Sequence, residues 1–226
     1  MQLQAMMEVL DTDECIGMLL AKLKEIKLVD KTIIVVASDH GERLYEPIVI
    51  IDPINNISSI SHKFGHGGIW KQVLHIPLII KSPTLSPTKI DKDVQLIDVM
   101  PTILDILNIP APENIQGKTL VPIIEGKEES KPVYSEHYPL ISIKRGDIRI
   151  KYNRELSLLV YYNLTNDPGE LMPIIPNETL KNTFEKRILE WILSNEELSK
   201  KLNIKESNVT LEEEIEMRLR QLGYIK

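Results

Sequence analysis

Two short apolar runs constrain the fold of this chain more than any other feature. Residues 32–37 read Thr-Ile-Ile-Val-Val-Ala, and residues 75–81 read His-Ile-Pro-Leu-Ile-Ile-Lys. Continuous runs rich in β-branched residues are typical of strands that are covered on both faces, as in a parallel sheet with helices on each side. The sequence therefore predicts an α/β fold, with both runs in a sheet flanked by helices.

A segment with helical spacing of its apolar residues precedes the first run, and another follows the second run. Apolar residues recur at helical intervals over residues 3–27 and again over residues 93–108. Pro101 lies inside the second pattern and predicts a break or a new helix start there, because proline has no N–H to donate. Between the two strands, residues 43–68 look irregular, with a hairpin predicted around residues 47–54.

The character of the chain changes near residue 130. Three short strands are predicted at 133–138, 145–152 and 157–164, and two helices at about 178–199 and 210–222. Alternation along the third strand predicts that one of Tyr161 and Tyr162 is buried and the other exposed. The sequence thus predicts two parts: an α/β part over residues 1–129, and a smaller α+β part over 130–226 with an antiparallel meander and C-terminal helices.

Composition excludes several classes of function. The 226 residues carry a net charge of −6, which argues against a nucleic-acid backbone as partner. A single cysteine, Cys15, excludes an internal disulfide and a multi-cysteine zinc site. No apolar run approaches the roughly 18 residues of a membrane span. The first residues show no signal-peptide pattern, which predicts a cytoplasmic location for the chain as given.

Asp39 and His40 are the first candidates for chemistry, because they directly follow the first predicted strand. Ligands of open α/β sheets bind beyond the carboxyl ends of strands. A carboxylate oxygen and an imidazole nitrogen suit a divalent metal. The dipeptide alone is more typical of a strand-end aspartate that caps a turn beside a surface histidine.

A second cluster lies in a glycine-rich stretch, residues 62–68. His62, Lys63 and His66 supply cationic donors that could hold a tetrahedral anion or protonate a leaving oxygen. The glycines would allow the backbone to approach a ligand closely. A flexible surface loop explains the same composition.

Taken in order, these segments resemble the C-terminal half of a sulfatase, in the alkaline phosphatase superfamily. The resemblance covers nearly the whole chain and rests on seven moderately specific pieces in the right order. They are the Ser-Asp-His-Gly-Glu run at 38–42, Gly-His-Gly at 65–67, Trp70 with the strand at 75–80, residues 96–105, residues 116–120, residues 162–170 and the terminal stretch 218–224.

The resemblance implies roles for the candidate residues. Asp39 and His40 match the strand-end residues that complete the divalent metal site of sulfatases, usually calcium, with magnesium or manganese as alternatives. His66 matches the Lys or His that contacts the sulfate and the leaving oxygen, which makes it the catalytic candidate. His62 and Lys63 have no firm counterpart and are further candidates for substrate binding.

One departure from the family limits these expectations. Sulfatases carry their nucleophile, a formylglycine, in a Cys/Ser-x-Pro-x-Arg motif, and that motif is absent from this sequence. Cys15 is followed by Ile-Gly-Met and does not fit it. We therefore expect no nucleophile in this chain, no turnover by the chain alone, and an N-terminal sulfatase half as a possible partner.

Three functions remain open on this basis. The first is hydrolysis of a small-molecule or glycan sulfate ester by the completed protein. The second is hydrolysis of phosphate esters or phosphonates, since related enzymes of the superfamily have similar sites. The third is a non-catalytic remnant or binding module. Strands that lack neighbours leave apolar surface exposed, so we also expect the isolated chain to aggregate or to form homo-oligomers.

Overall fold

A long helix and a short strand open the chain in the computed structural model, which describes residues 2–52 and 57–202. Helix α1 covers Gln2–Glu25 and confirms the first helical prediction. A single 3₁₀ turn at Val29–Lys31 leads into strand β1 (Ile34–Ala37). Lys22 and Lys24 occupy the last turn of α1, where positive charge is favourable to the helix dipole.

A hairpin follows, longer than the sequence predicts. Strand β2 (Arg43–Asp52) pairs antiparallel with β3 (Ile57–Gly65), so a hairpin is present. Residues 47–52 all belong to β2, and the prediction of irregular structure over 43–68 is wrong. The register shifts between Leu44 and Pro47. Proline cannot donate a ladder hydrogen bond, which is why such irregularities accommodate it. Arg43 and Gly65 pair at the open end of the hairpin. The hairpin therefore brings the residues before β2 close to the residues after β3.

The second apolar run forms a strand, but its direction differs from the expectation. Helix α2 (Lys71–Leu74) precedes strand β4 (Leu78–Lys81), which pairs with β1 in antiparallel register. Ile79 on β4 is 61% exposed, and no side chain of β1 is fully buried. The prediction of parallel strands covered on both faces is therefore wrong for this pair. An apolar pattern shows only that a strand has apolar side chains on both faces, and it specifies neither what covers them nor the direction of the neighbouring strand.

The break predicted at Pro101 is present as a helix start. A 3₁₀ turn at Leu96–Asp98 leads directly into helix α3 (Val99–Ile106), so Pro101 lies in the first turn of α3. Proline is tolerated there because the first N–H groups of a helix have no partner within it. A one-turn helix, α4 (Val121–Ile124), lies in the connection that follows α3, residues 109–126, which is rich in proline and glycine.

The second half contains a four-stranded meander rather than three strands. Its strands are β5 (Val133–His137), β6 (Leu140–Arg145), β7 (Ile148–Asn153) and β8 (Leu158–Asn163), paired in sequence order. Strand β6 was not predicted, because only two residues separate it from the strand on each side, so three strands follow one another almost without interruption.

The meander carries most of the best-buried side chains of the described residues. Ile141, Ile143 and Ile150 are fully buried on the two central strands. Tyr161 and Tyr162 are both buried, so the expectation that one of them is exposed is wrong. The backbone of Ile174 pairs with Tyr161 through an isolated bridge, and the Lys151 ammonium lies 4.9 Å from the centroid of the Tyr162 ring. Each tyrosine thus adjoins a further part of the chain.

Helix α5 (Glu178–Lys201) confirms the first of the two C-terminal helices, and the helix predicted at 210–222 lies outside the described residues. The chain divides into two compact units, residues 1–180 and 181–226. The division predicted at residue 130 stays a prediction. Within the described ranges, no helix is both long enough and apolar enough to cross a membrane.

Candidate active site

The residues after β1 are fixed by an unusually close backbone contact. The Gly41 N–H donates to the carbonyl of Val73 in α2 at 2.8 Å. A Cβ on Gly41 would lie 2.1 Å from the carbonyl oxygen of Gln72, so only glycine fits. The Ser38 hydroxyl donates to the His40 carbonyl at 2.5 Å. These contacts hold the backbone of His40 against α2.

The residues that follow β3 are held by a contact with the start of β2. Arg43 is buried at the start of β2, and its Nε donates to the Gly65 carbonyl at 2.9 Å. Gly65 has a φ of 110°, a conformation that side-chain-bearing residues rarely adopt. The chain therefore turns at Gly65, and His66 follows directly on the fixed carbonyl.

These two segments bring three side chains together, which we call the histidine cluster: His40, Glu42 and His66. The rings of His40 and His66 stack with centroids 4.2 Å apart and an interplanar angle of 26°. A Glu42 carboxylate oxygen, Oε2, lies 3.1 Å from His66 Nδ1. One potential ligand atom from each residue lies within 4.8 Å of those of the other two. All three side chains are partly exposed, so a ligand could reach them.

The predicted site residues are placed as follows. His40 and His66 meet in the cluster. Asp39 lies beside it, with Oδ1 3.8 Å from His40 Nε2, and its side chain is 82% exposed. His62 is exposed on β3 opposite Pro47. Lys63 belongs to β3, and its side chain lies outside the described part of the chain.

Glu42 is the residue that sequence reasoning missed. It stands two residues after His40, and in extended backbone that spacing puts both side chains on one side. This signal was available in the sequence. Its meaning depends on His66, which reaches Glu42 only through the pairing of β2 with β3.

Behind the cluster, Trp70 links the glycine-rich segment to the meander. Lys151 on β7 places its ammonium 4.5 Å from the Trp70 ring centroid, and Arg43 approaches the same ring at 6.0 Å. Glu170 pairs with Lys151 at 2.7 Å and with Arg149 at 3.1 Å, and all three side chains are buried. The segment that carries His66 is thereby anchored by cation–π contacts and by a buried ion triad.

Burial shifts the pKa values of two residues that lie in or next to this ion triad. Burial lowers the pKa of Lys151, and the neighbouring Glu170 carboxylate opposes that shift by favouring the ammonium. Burial also raises the pKa of Tyr162, and the charges of Glu170 and Asp167 raise it further. Tyr162 therefore stays neutral while Lys151 stacks over its ring.

Comparison with known protein families gives two overlapping matches. Residues 6–109 match the profile of the sulfatase family, and residues 63–196 match the profile described as N-sulphoglucosamine sulphohydrolase, C-terminal. The second match alone covers more than half of the chain. This chain belongs to the sulfatase family. All three residues of the histidine cluster lie inside the first matched range, and His66 lies in both.

Three similar proteins illustrate the relationship. Arylsulfatase K of Rattus norvegicus is 27% identical over 130 residues, which is 57% of this chain and 21% of that protein. The structure of BT4656 in complex with its substrate D-glucosamine-2-N,6-O-disulfate covers 90% of this chain and 41% of its own, with 25% identity and a TM-score of 0.56. The phosphonate monoester hydrolase SpPMH of Silicibacter pomeroyi shares the fold at 22% identity, covering 88% of this chain and 40% of its own, with a TM-score of 0.61.

The chain therefore spans about a fifth of the length of the arylsulfatase K relative that it matches. Metal dependence is a property of the sulfatase family, and the histidine cluster gives this sulfatase chain a group of residues that could hold a metal ion. Calcium takes six to eight oxygen ligands. Two imidazoles and one carboxylate do not fit calcium by themselves, and one oxygen of Asp39 already accepts the His40 N–H at 2.9 Å.

Proposed function

We propose that this chain supplies part of the active site of a sulfate ester hydrolase. The observation that carries the proposal is the stacking of His66 on His40 at 4.2 Å, within a region that matches the sulfatase family. Two residues for which the family resemblance implies separate roles, one on the metal and one on the sulfate, thereby lie side by side. A reacting group placed at the common edge of the two rings would contact both.

His66 is the proposed catalytic residue. Because a carboxylate oxygen can only accept, its hydrogen bond with Glu42 places a proton on His66 Nδ1 and orients the ring. We assign His66 to contact with the sulfate and with the leaving oxygen, which an imidazole can protonate. His62 and Lys63, on the strand that leads to His66, are proposed as additional substrate-binding residues.

Asp39 and His40 are the proposed metal ligands. They lie on one edge of the site, and we infer that the ion is calcium, with magnesium or manganese as alternatives, when further oxygen ligands come from outside this chain. A divalent ion there supplies positive charge for the sulfate oxygens. The division at residue 130 is proposed as the border between the catalytic α/β part, 1–129, and the smaller C-terminal part, 130–226.

The nucleophile must come from elsewhere, because this sequence has no Cys/Ser-x-Pro-x-Arg motif. We propose that an N-terminal sulfatase half supplies it, whether joined to this chain or separate. The substrate is proposed to be a sulfate ester of a small molecule or a glycan, since the BT4656 neighbour holds a sulfated glucosamine. Nucleophilic attack on sulfur then needs an activated group that these residues position but do not provide.

The test is to express the chain together with the segment encoded upstream of Met1 and to assay 4-nitrophenyl sulfate. We expect hydrolysis by the combination and none by the chain alone. His66→Ala should lower kcat by about 100-fold or more, as for loss of a general acid. His137→Ala, an exposed histidine at the end of β5, is the matched control and should leave kcat unchanged.

Two outcomes would overturn the proposal. Faster hydrolysis of 4-nitrophenyl phosphate or of a phosphonate monoester than of the sulfate would favour a phosphate or phosphonate hydrolase of the superfamily. No hydrolysis of any of these esters by the combination, with calcium, magnesium or manganese present, would favour a non-catalytic remnant.

A further inference from the structure

The histidine cluster contains a donor set that calcium does not prefer. Two imidazole rings and one carboxylate converge, and a ligand atom from each lies within 4.8 Å of the others. Hard cations such as calcium select oxygen ligands, whereas imidazole nitrogen suits zinc, copper and nickel. Two histidines with one glutamate are also a recurrent set of protein ligands for zinc.

The spacing within the cluster supports one small ion. Zinc binds nitrogen and carboxylate oxygen at about 2.0 to 2.2 Å, so two ligand atoms around one tetrahedral zinc lie roughly 3.3 Å apart. His66 Nδ1 and Glu42 Oε2 are 3.1 Å apart, close to that value. The hydrogen bond between them would be replaced by two bonds to the ion. The His40 ring, which is stacked on His66, must rotate about its own side-chain bonds so that its nitrogen points to the same ion.

His40 is held in the tautomer that a metal ligand needs. Its Nδ1 lies 3.0 Å from the Gly41 carbonyl oxygen. A carbonyl only accepts, so Nδ1 carries the hydrogen and the lone pair of the neutral ring is on Nε2. Histidines that bind metals through one nitrogen commonly donate from the other to a backbone carbonyl, which orients the ring.

The backbone that presents the three residues is fixed on both sides. The Gly41 contact with α2 fixes His40, and the Arg43 contact with Gly65 fixes the approach to His66. Ligands that are ordered before the ion arrives lose less conformational entropy on binding it. The arrangement does not require the upstream part of a sulfatase, because all three residues belong to this chain.

We propose that His40, Glu42 and His66 form a binding site for a borderline transition-metal ion, zinc in the first place, in this chain by itself. The site selects zinc over calcium, and its fourth position is open to solvent or to an added ligand. This proposal does not depend on sulfate hydrolysis, and its test contains no activity measurement.

The test is a zinc titration of the full chain, purified without a polyhistidine tag, by calorimetry and by NMR of the histidine rings. We expect one equivalent of zinc to bind and to shift the resonances of His40 and His66. Calcium at about 10 mM, above the range of weak protein calcium sites, should shift neither. Glu42→Gln, which keeps the shape of the side chain, should weaken zinc binding by about 10-fold or more.

Two variants separate this site from adventitious binding. His66→Ala should also weaken zinc binding by at least about 10-fold, whereas His137→Ala should bind zinc as the unchanged chain does. Circular dichroism of each variant verifies that the fold is retained. Zinc affinity that is unchanged in both Glu42→Gln and His66→Ala would overturn the proposal, and so would equal responses to zinc and calcium. If the chain combined with the upstream segment does not hydrolyse the sulfate ester but zinc binding is intact, only the proposed function is overturned.

Discussion

Glu170 is the most buried charged residue in the described part of the chain, and its replacement should be strongly destabilising. Its side chain is 2% exposed and pairs with both Lys151 and Arg149. Removing one partner of a buried ion network leaves an uncompensated buried charge, which typically costs about 3 to 5 kcal/mol. We therefore expect Glu170→Gln to lower the free energy of unfolding by about that amount in a urea titration followed by circular dichroism.

A matched exchange on the same sheet provides the control. Glu136 pairs with Arg154 at 2.7 Å, but both side chains are about one third exposed. Exposed pairs contribute about 0 to 1 kcal/mol, so Glu136→Gln should change the unfolding free energy by less than that. Equal effects of the two variants would show that the Glu170 triad is no more important than an ordinary surface pair.

At the scale of elements, the contact between the β1 loop and α2 places one half of the histidine cluster. An added methyl group at Gly41 meets the Gln72 carbonyl oxygen at 2.1 Å, so Gly41→Ala must push the loop away from α2. We expect this variant to separate the rings of His40 and His66 and to weaken zinc binding by about 10-fold or more, as loss of orienting contacts does at other metal sites. The ring resonances of both histidines in NMR spectra provide the measurement.

Gly67→Ala is the matched control for this element. Gly67 is next to His66, and an added Cβ there meets no atom within 4 Å. The exchange should therefore leave zinc binding and both ring resonances unchanged. If Gly41→Ala also leaves them unchanged, the β1 loop does not need its close contact with α2 to position His40.

These elements also show what the sequence can predict. Local patterns gave α1, β1, β4 and the start of α5, because each depends on neighbours a few residues away. The antiparallel pairing of β1 with β4 and the presence of β6 depend on long-range contacts and on tight turns, and the patterns do not specify these.

The same limit applies to the site. Asp39, His40 and His66 were selected by their motifs and by the family resemblance. The stacking of His40 on His66, and the part of Glu42 in it, required the hairpin of β2 and β3 to bring both segments together.

At the scale of the whole molecule, the apolar surface of α1 decides how the chain behaves alone. Met7, Leu10 and Met18 are about 60 to 70% exposed, whereas Ile16, Leu20 and Leu23 are better covered. Among the described residues, β1 and β4 pair only with each other, which leaves both outer edges open. The BT4656 neighbour is more than twice as long as the part that this chain covers. An N-terminal sulfatase half, as proposed above, could therefore cover this surface.

We therefore expect the chain alone to self-associate, with an apparent mass in light scattering that rises with concentration. Burying one such apolar side chain contributes about 1.5 to 3 kcal/mol, so Met7→Glu with Leu10→Glu should shift the chain strongly toward monomer. The double variant Thr12→Glu with Lys24→Gln changes the net charge by the same amount at exposed polar positions of α1. It should not shift the chain toward monomer. If the unchanged chain is monomeric at every concentration and melts cooperatively, the exposed face of α1 does not drive association. If both double variants become monomeric, net charge rather than apolar surface controls the association.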